Sequence, residues 1–194
     1  MFQPSVKNRT KTVLNNVKAP RQRLTRIAVA TLLLGMMPAL SYAIDDVKET
    51  PEAFLAEAFG ATVPPPKALD LTDPVQSKLM QTFGKQYPQQ RLRYWKSGTR
   101  SAWILDDIGK DGYVPTTTGF IVQNGAIQAA RVLIYRESRG DQVADPSFTK
   151  QFTGAHLAGA QLDRQIDGIS GATLSVQMMQ RLARAALTLD SVAP

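Results

Sequence analysis

The 194-residue sequence contains no cysteine. That absence excludes disulfides, a lipoprotein anchor, c-type haem attachment and clusters held by thiolates. Histidine occurs once, as His156. A lone histidine is ordinarily a surface or hydrogen-bonded residue, and no serine or cysteine is arranged with it as in a hydrolase. No G-x-G-x-x-G follows a strand-like run, so nothing resembles a nicotinamide site. Asp106, Asp107 and Asp111 lack the spacing of a calcium loop and read as solvated turn carboxylates. No internal repeat or low-complexity segment stands out.

Acidic side chains are missing altogether from residues 1–43, which hold seven basic ones: Lys7, Arg9, Lys11, Lys18, Arg21, Arg23 and Arg26. The formal charge of +7 therefore belongs to this leader, because residues 44–194 carry sixteen basic and sixteen acidic side chains. A balanced remainder gives no footprint for nucleic acid, and no such partner is expected. The leader has the three parts of a secretory signal. A basic stretch ends at Arg26, an apolar run follows from Ile27 to Met37, and Ser41-Tyr42-Ala43 supplies small residues where a signal peptidase reads. Cleavage after Ala43 and a periplasmic protein are expected. The competing reading is an uncleaved inner-membrane anchor over Ile27 to Ile44 that faces the periplasm; Pro38, Ser41 and Tyr42 weaken it as a spanning helix. No twin-arginine pair is present, which points to export of an unfolded chain.

Periodicity divides the rest. Residues 44–88 read as a helical segment and linker. Pro51 to Phe59 forms a short helix with Thr50 as its cap, and Pro64-Pro65-Pro66 marks a stiff linker. A second helix opens at Asp73-Pro74 and runs to about Phe83, with Val75, Leu79 and Phe83 on one face. From Arg91 the period changes to two. A strand to Ser97 turns at Ser97-Gly98 and returns over Arg100 to Ile108, and Gly109 to Gly112 turns again. Thr117 to Gln123 and Ala126 to Tyr135 pair about Asn124-Gly125, a favoured hairpin dipeptide. The last helix is expected from Leu174 to Leu189, with Leu174, Met178, Leu182, Ala185 and Leu189 along a buried stripe. The prediction is an α+β fold: an antiparallel β-meander packed by helices.

Between the sheet and the last helix stands D-G-I-S-G-A-T-L-S, Asp167 to Ser175. Small residues let backbone approach a ligand closely, and the amides that open a helix attract anions. The bland alternative is a turn that caps the helix, with Thr173 or Ser170 as N-cap. Six fixed positions recur by chance in roughly one in 10⁴ to 10⁵ chains of this length.

Asp167-Gly168-Ile169-Ser170-Gly171-Ala172-Thr173 resembles D-G-x-[S/T]-G-A-T, the flavinylation motif of the FMN-binding domain family. That family includes the C subunit of sodium-pumping NADH:quinone reductase and the G subunit of the Rnf complex. Glu137-Ser138-Arg139-Gly140 is similar to the family's E-[S/T]-x-G turn. Phe148 to Gly154 is similar to the F-x-x-Q-F-x-G stretch that precedes the motif. The Glu137 turn departs from the respiratory subunits in lacking a proline and a second glycine.

The resemblance implies an FMN-binding domain over residues 89–194, with its C-terminal helix following the attachment turn. It implies FMN joined covalently to Thr173 by a phosphoester bond that an FAD:protein FMN transferase makes. Asp167, Gly168, Ser170, Gly171, Ala172 and Glu137 would complete the cofactor site. With no cysteine, a flavin is almost the only electron carrier the chain can hold. The function expected is a periplasmic carrier fed by a membrane-bound reductase or quinol oxidoreductase and emptied by a periplasmic acceptor. An exported, non-redox module that uses the turn for a phosphate-bearing ligand is the alternative. Tyr94, Trp95, Trp103, Tyr113 and Phe120 are strand residues first, and one or two of them are candidates to stack on an isoalloxazine ring.

Overall fold

The alternation that begins at Arg91 builds the centre of a six-stranded antiparallel sheet. The computed structural model describes residues 45–109 and 114–194. The leader, the Lys110–Gly112 part of the predicted turn, and Tyr113 lie outside these residues. In chain order the sheet strands are β1 (Asp46–Val47), β2 (Lys67–Asp70), β3 (Arg91–Ser97), β4 (Arg100–Asp107), β5 (Thr116–Gln123) and β6 (Ala126–Tyr135). Their spatial order is β1-β6-β5-β4-β3-β2. The fold is α+β, as expected from the pattern.

Four of those strands match the alternation; β1 and β2 do not. Both are edge strands, of two and four residues, and between them they bury only Leu69. A strand that buries one side chain leaves no period to read. β2 also follows directly on the three prolines that mark a linker.

The two faces of the sheet are covered by different helices. Helix α1 (Pro51–Phe59) starts where Thr50 Oγ1 accepts the Ala53 amide at 3.2 Å. It packs on β4, β5 and β6 and buries Phe54, Leu55 and Ala58 against Ala102, Ile121, Ala129 and Leu133. The far edge of the Phe54 ring, Cζ with both Cε atoms, abuts Gly119. A Cβ at Gly119 would fall 2.6 Å from the ring's Cζ, so only glycine admits the ring there.

The opposite face carries α2 (Asp73–Thr82) and α4 (Thr173–Val192), which pack against each other. Tyr94 and Trp103 stack beneath them with ring centroids 4.8 Å apart and planes 8° from parallel. Tyr94, Trp103 and Phe120 are completely buried. They are core residues, so none of the three can offer a face to a cofactor. Trp95 is partly exposed on the α1 side. Among the described residues, no helix is long and apolar enough to cross a membrane.

Asn124 and Gly125 take φ +53° and +73°, as a two-residue type I′ hairpin requires. A Cβ at Gly125 would meet nothing within 4 Å. Gly125→Val therefore acts through backbone conformation alone and is expected to cost about 1 kcal/mol or more. A melting curve checks this; an unchanged midpoint would contradict the turn assignment.

Candidate functional site

The segment that follows the sheet is pinned at short intervals before it reaches the motif. After β6 come a 3₁₀ turn at Asp141–Ala144, helix α3 (Pro146–Thr149) and a second 3₁₀ turn at Lys150–Phe152. The chain then pairs briefly with β6: Gly154 donates to Ile127 O at 2.7 Å, and Ile127 donates to Ala155 O at 2.9 Å. A small hairpin, β7 (Leu157–Ala158) with β8 (Gln161–Leu162), leads to Arg164. The Arg164 guanidinium donates to Thr153 O and Gly154 O, both at 2.7 Å. His156 is exposed here beside Asp163, its Nδ1 3.4 Å from a carboxylate oxygen. This is the ordinary surface role expected for it.

The motif itself is anchored by groups that its spelling does not reveal. The Asp167 amide donates to Gln151 Oε1 at 2.7 Å, which ties the F-x-x-Q-F-x-G stretch to the D-G-x-S-G-A-T run. Ile166 is buried, and Ile169 packs against the core. Ala172 N donates to Ile169 O at 3.0 Å, closing a turn in which Gly171 has φ +81°. A third turn residue at that angle is what type II geometry asks of glycine.

The motif residues therefore divide in two. Gly171 and the buried Ala172 serve the fold. Asp167, Gly168, Ser170 and Thr173 are exposed. Gly168 has no positive φ, and a Cβ there would meet nothing within 4 Å. Among the described residues, the side chains of Asp167, Ser170 and Thr173 make no hydrogen bond. A serine or an aspartate in a turn commonly bonds nearby backbone groups. The Ala172–Ile169 backbone bond and Gln151 do the intramolecular work instead.

Helix α4 opens without a side-chain cap. Ala172 holds the cap position, with φ −122° and ψ 26°, and has no side-chain oxygen to offer. Thr173 is the first helical residue, so neither it nor Ser170 is the N-cap. The first intrahelical bond is Val176 N to Ala172 O at 3.0 Å. The amides of Thr173, Leu174 and Ser175 precede it, and such groups are ready donors to an anion. That donor set, beside an exposed hydroxyl, suits a phosphate.

The buried stripe of α4 starts later than its sequence suggests. Leu174 is 46% exposed, while Ser175 and Val176 are buried. Met178, Leu182, Ala185 and Leu189 are buried as predicted. Ser175 Oγ stands 3.3 Å from Tyr135 Oη, which also donates to Arg139 O. Burial pushes the Tyr135 phenol up from its ordinary pKa, so the group remains a protonated donor at neutral pH.

Glu137 lies two residues past the end of β6 and accepts the Gly109 amide at Oε1, 2.7 Å away. It thus braces the end of β4 next to the first turn of α4. Asp107 completes that brace and corrects the sequence reading. Its side chain is only 2% exposed and is held by Lys85 Nζ at 2.7 Å and by Arg181 Nη2 at 2.8 Å. Arg181 Nη2 also donates to Ile108 O at 3.0 Å. Asp107 is a buried ion-pair centre that joins β4 to α4, whereas Asp106 accepts from Thr117 at 2.7 Å. Asp111 lies outside the described residues. Opposite Asp107 in the β4–β5 register, Thr116 Oγ1 is buried with no hydrogen-bond partner among the described residues. The described residues contain no group of His, Asp and Glu placed to hold a metal ion.

Residues 109–188 match the family model described as FMN-binding domain. This stretch begins at the braced end of β4, contains Glu137 and the whole Asp167–Thr173 run, and ends within α4. It belongs to the FMN-binding domain family, and the chain is an FMN-binding flavoprotein. No curated protein and no solved structure gives a significant match.

Proposed function

We propose that this chain is an exported electron carrier that holds FMN covalently on Thr173 through a phosphoester bond. One observation carries the reading: within an FMN-binding domain, the motif turns Asp167, Gly168, Ser170 and Thr173 to solvent, and among the described residues the side chains of Asp167, Ser170 and Thr173 make no hydrogen bond. A spelling that the fold does not need is a spelling for an outside reader, here an FAD:protein FMN transferase. Gly168 leaves open room for its approach.

Thr173 Oγ1 would take the FMN phosphoryl group from FAD. The new bond is Thr173 O–P, the pyrophosphate P–O bond of FAD breaks, AMP leaves, and the hydroxyl proton passes to solvent. The resulting diester carries one negative charge beside the opening amides of α4, where a helix N-terminus stabilises anions. The Glu137 carboxylate is engaged with Gly109 N, which keeps it occupied by its own chain.

Bound FMN supports one- and two-electron steps, and the protein's part is placement and electrostatics. A membrane-bound reductase or quinol oxidoreductase would supply electrons, and a periplasmic protein would accept them. A covalent link suits a compartment where free FMN is scarce. The break in charge and hydropathy at Ala43 supports export by a cleaved signal. Protein recovered from the periplasm of a host with an active transferase should begin at Ile44 and keep its yellow chromophore after denaturation. Unprocessed protein held in washed membranes would favour the anchor, and colourless protein would remove the carrier role.

A further inference from the structure

A helix that opens without a side-chain cap must have its first turn fixed in some other way. Helix α1 uses Thr50 for this purpose, whereas Ala172 at the head of α4 supplies nothing. Thr173 and Leu174 are exposed. The first side chain of α4 to enter the protein is Ser175, which is 3% exposed.

Three close approaches meet at Ser175. Its hydroxyl is 3.3 Å from Tyr135 Oη. Gly140, at φ +94°, passes so near that an added Cβ would fall 2.3 Å from Ser175 Oγ and 2.9 Å from Tyr135 Oη. Gly109 approaches the backbone of the same residue: a Cβ added there would fall 3.2 Å from Ser175 Cα. Gly109 is itself held by Glu137 through its amide. Two bare glycines thus form the socket, and the serine hydroxyl with the tyrosine forms the catch.

We propose that Ser175 is the positioning residue for flavin attachment, a socketed anchor that fixes the first turn of α4 from beneath and so sets the place of the Thr173 hydroxyl. The inference rests on Thr173 being the acceptor. The arrangement performs the fixing role of a capping side chain without covering the opening amides. Thr173 lies two residues from the catch along a helical backbone, so a loosened socket moves the acceptor oxygen directly. Transfer of a group to a hydroxyl is sensitive to such displacement: a misplacement of about 1 Å can cost roughly 100-fold in rate.

The test is the steady-state kinetics of the transferase acting on full-length exported carrier, followed by intact mass, alongside melting curves. Ser175→Ala removes the catch and leaves Tyr135 bonded to Arg139 O. It should lower kcat for loading by about tenfold or more, with KM for the carrier unchanged. Gly140→Ala, which intrudes on the socket, should lower kcat further. Gly125→Val is the control: it lowers the melting temperature at the far hairpin and should load at the wild-type kcat. Wild-type kcat in Ser175→Ala overturns the proposal and leaves the Thr173 assignment standing. So does a loss of kcat that Gly125→Val shares at equal loss of stability, or a loss confined to KM. Failure of the wild type to load overturns the attachment itself.

Discussion

Thr173→Val protein is expected to carry no flavin after denaturation and gel separation, while folding as the wild type does. The hydroxyl is the acceptor in the proposed linkage, so its removal should abolish attachment rather than reduce it. The fold has little stake in the change. Thr173 is exposed, its side chain makes no hydrogen bond among the described residues, and the cap position belongs to Ala172. A capping threonine would contribute about 1 kcal/mol. At the first helical position, the loss should instead be a few tenths, the scale of a propensity difference. Absorbance of the denatured band and a melting curve measure the two halves. Flavin that remains on Thr173→Val protein would move the linkage to another hydroxyl, and Ser170 and Ser175 are the neighbours to examine.

Phe54→Ala should be the most damaging change to the fold among those considered. The ring is completely buried and abuts Gly119, with Cζ, Cε2 and Cε1 at 2.6, 2.7 and 2.8 Å from where a Cβ would stand. Truncation removes the aromatic contact and leaves a cavity between α1 and the sheet, at about 3–5 kcal/mol. For a domain of this size that corresponds to roughly 10 °C in melting temperature. Gly119→Ala alone should cost about 1–3 kcal/mol through overpacking against the ring. In the double variant, the new methyl enters the space the ring has left, so the combined loss should fall short of the sum. Strict additivity would show that the two residues are not in the contact described.

Much of this was readable because it is local. Thr50 before Pro51, the switch to period two at Arg91, and Asn124-Gly125 between apolar runs each state their structure within a few residues. What escaped depends on partners far along the chain. Asp107 looks like a turn carboxylate until Lys85, 22 residues before it, and Arg181, 74 after it, close on it. β2 exists because β3 offers it an edge, and its own four residues bury too little to announce it.

The site shows the same division. The spelling of the Asp167–Thr173 run was visible, as was the Gln151 stretch, but the bond from Asp167 N to Gln151 that joins them was not. Leu174 was assigned to the buried stripe because apolar spacing cannot distinguish a helix end standing clear of the sheet from one lying on it. Ser175 carries no mark of its place in the sequence, where it is one more hydroxyl at the start of a helix. The signal that could have drawn attention to it is the pair of glycines, Gly109 and Gly140, whose nearness to it only the fold reveals.

Peptide mapping of the flavin-loaded wild-type protein tests the central claim most directly. Trypsin cleaves after Arg164 and Arg181, so one peptide, Gln165 to Arg181, holds Ser170, Thr173 and Ser175 together. Tandem mass spectrometry should find FMN on that peptide, absent from fragments that end at Ala172 and present in those that include Thr173. FMN on Ser170 or Ser175, or a peptide with no added mass from protein exposed to an active transferase, would contradict the account.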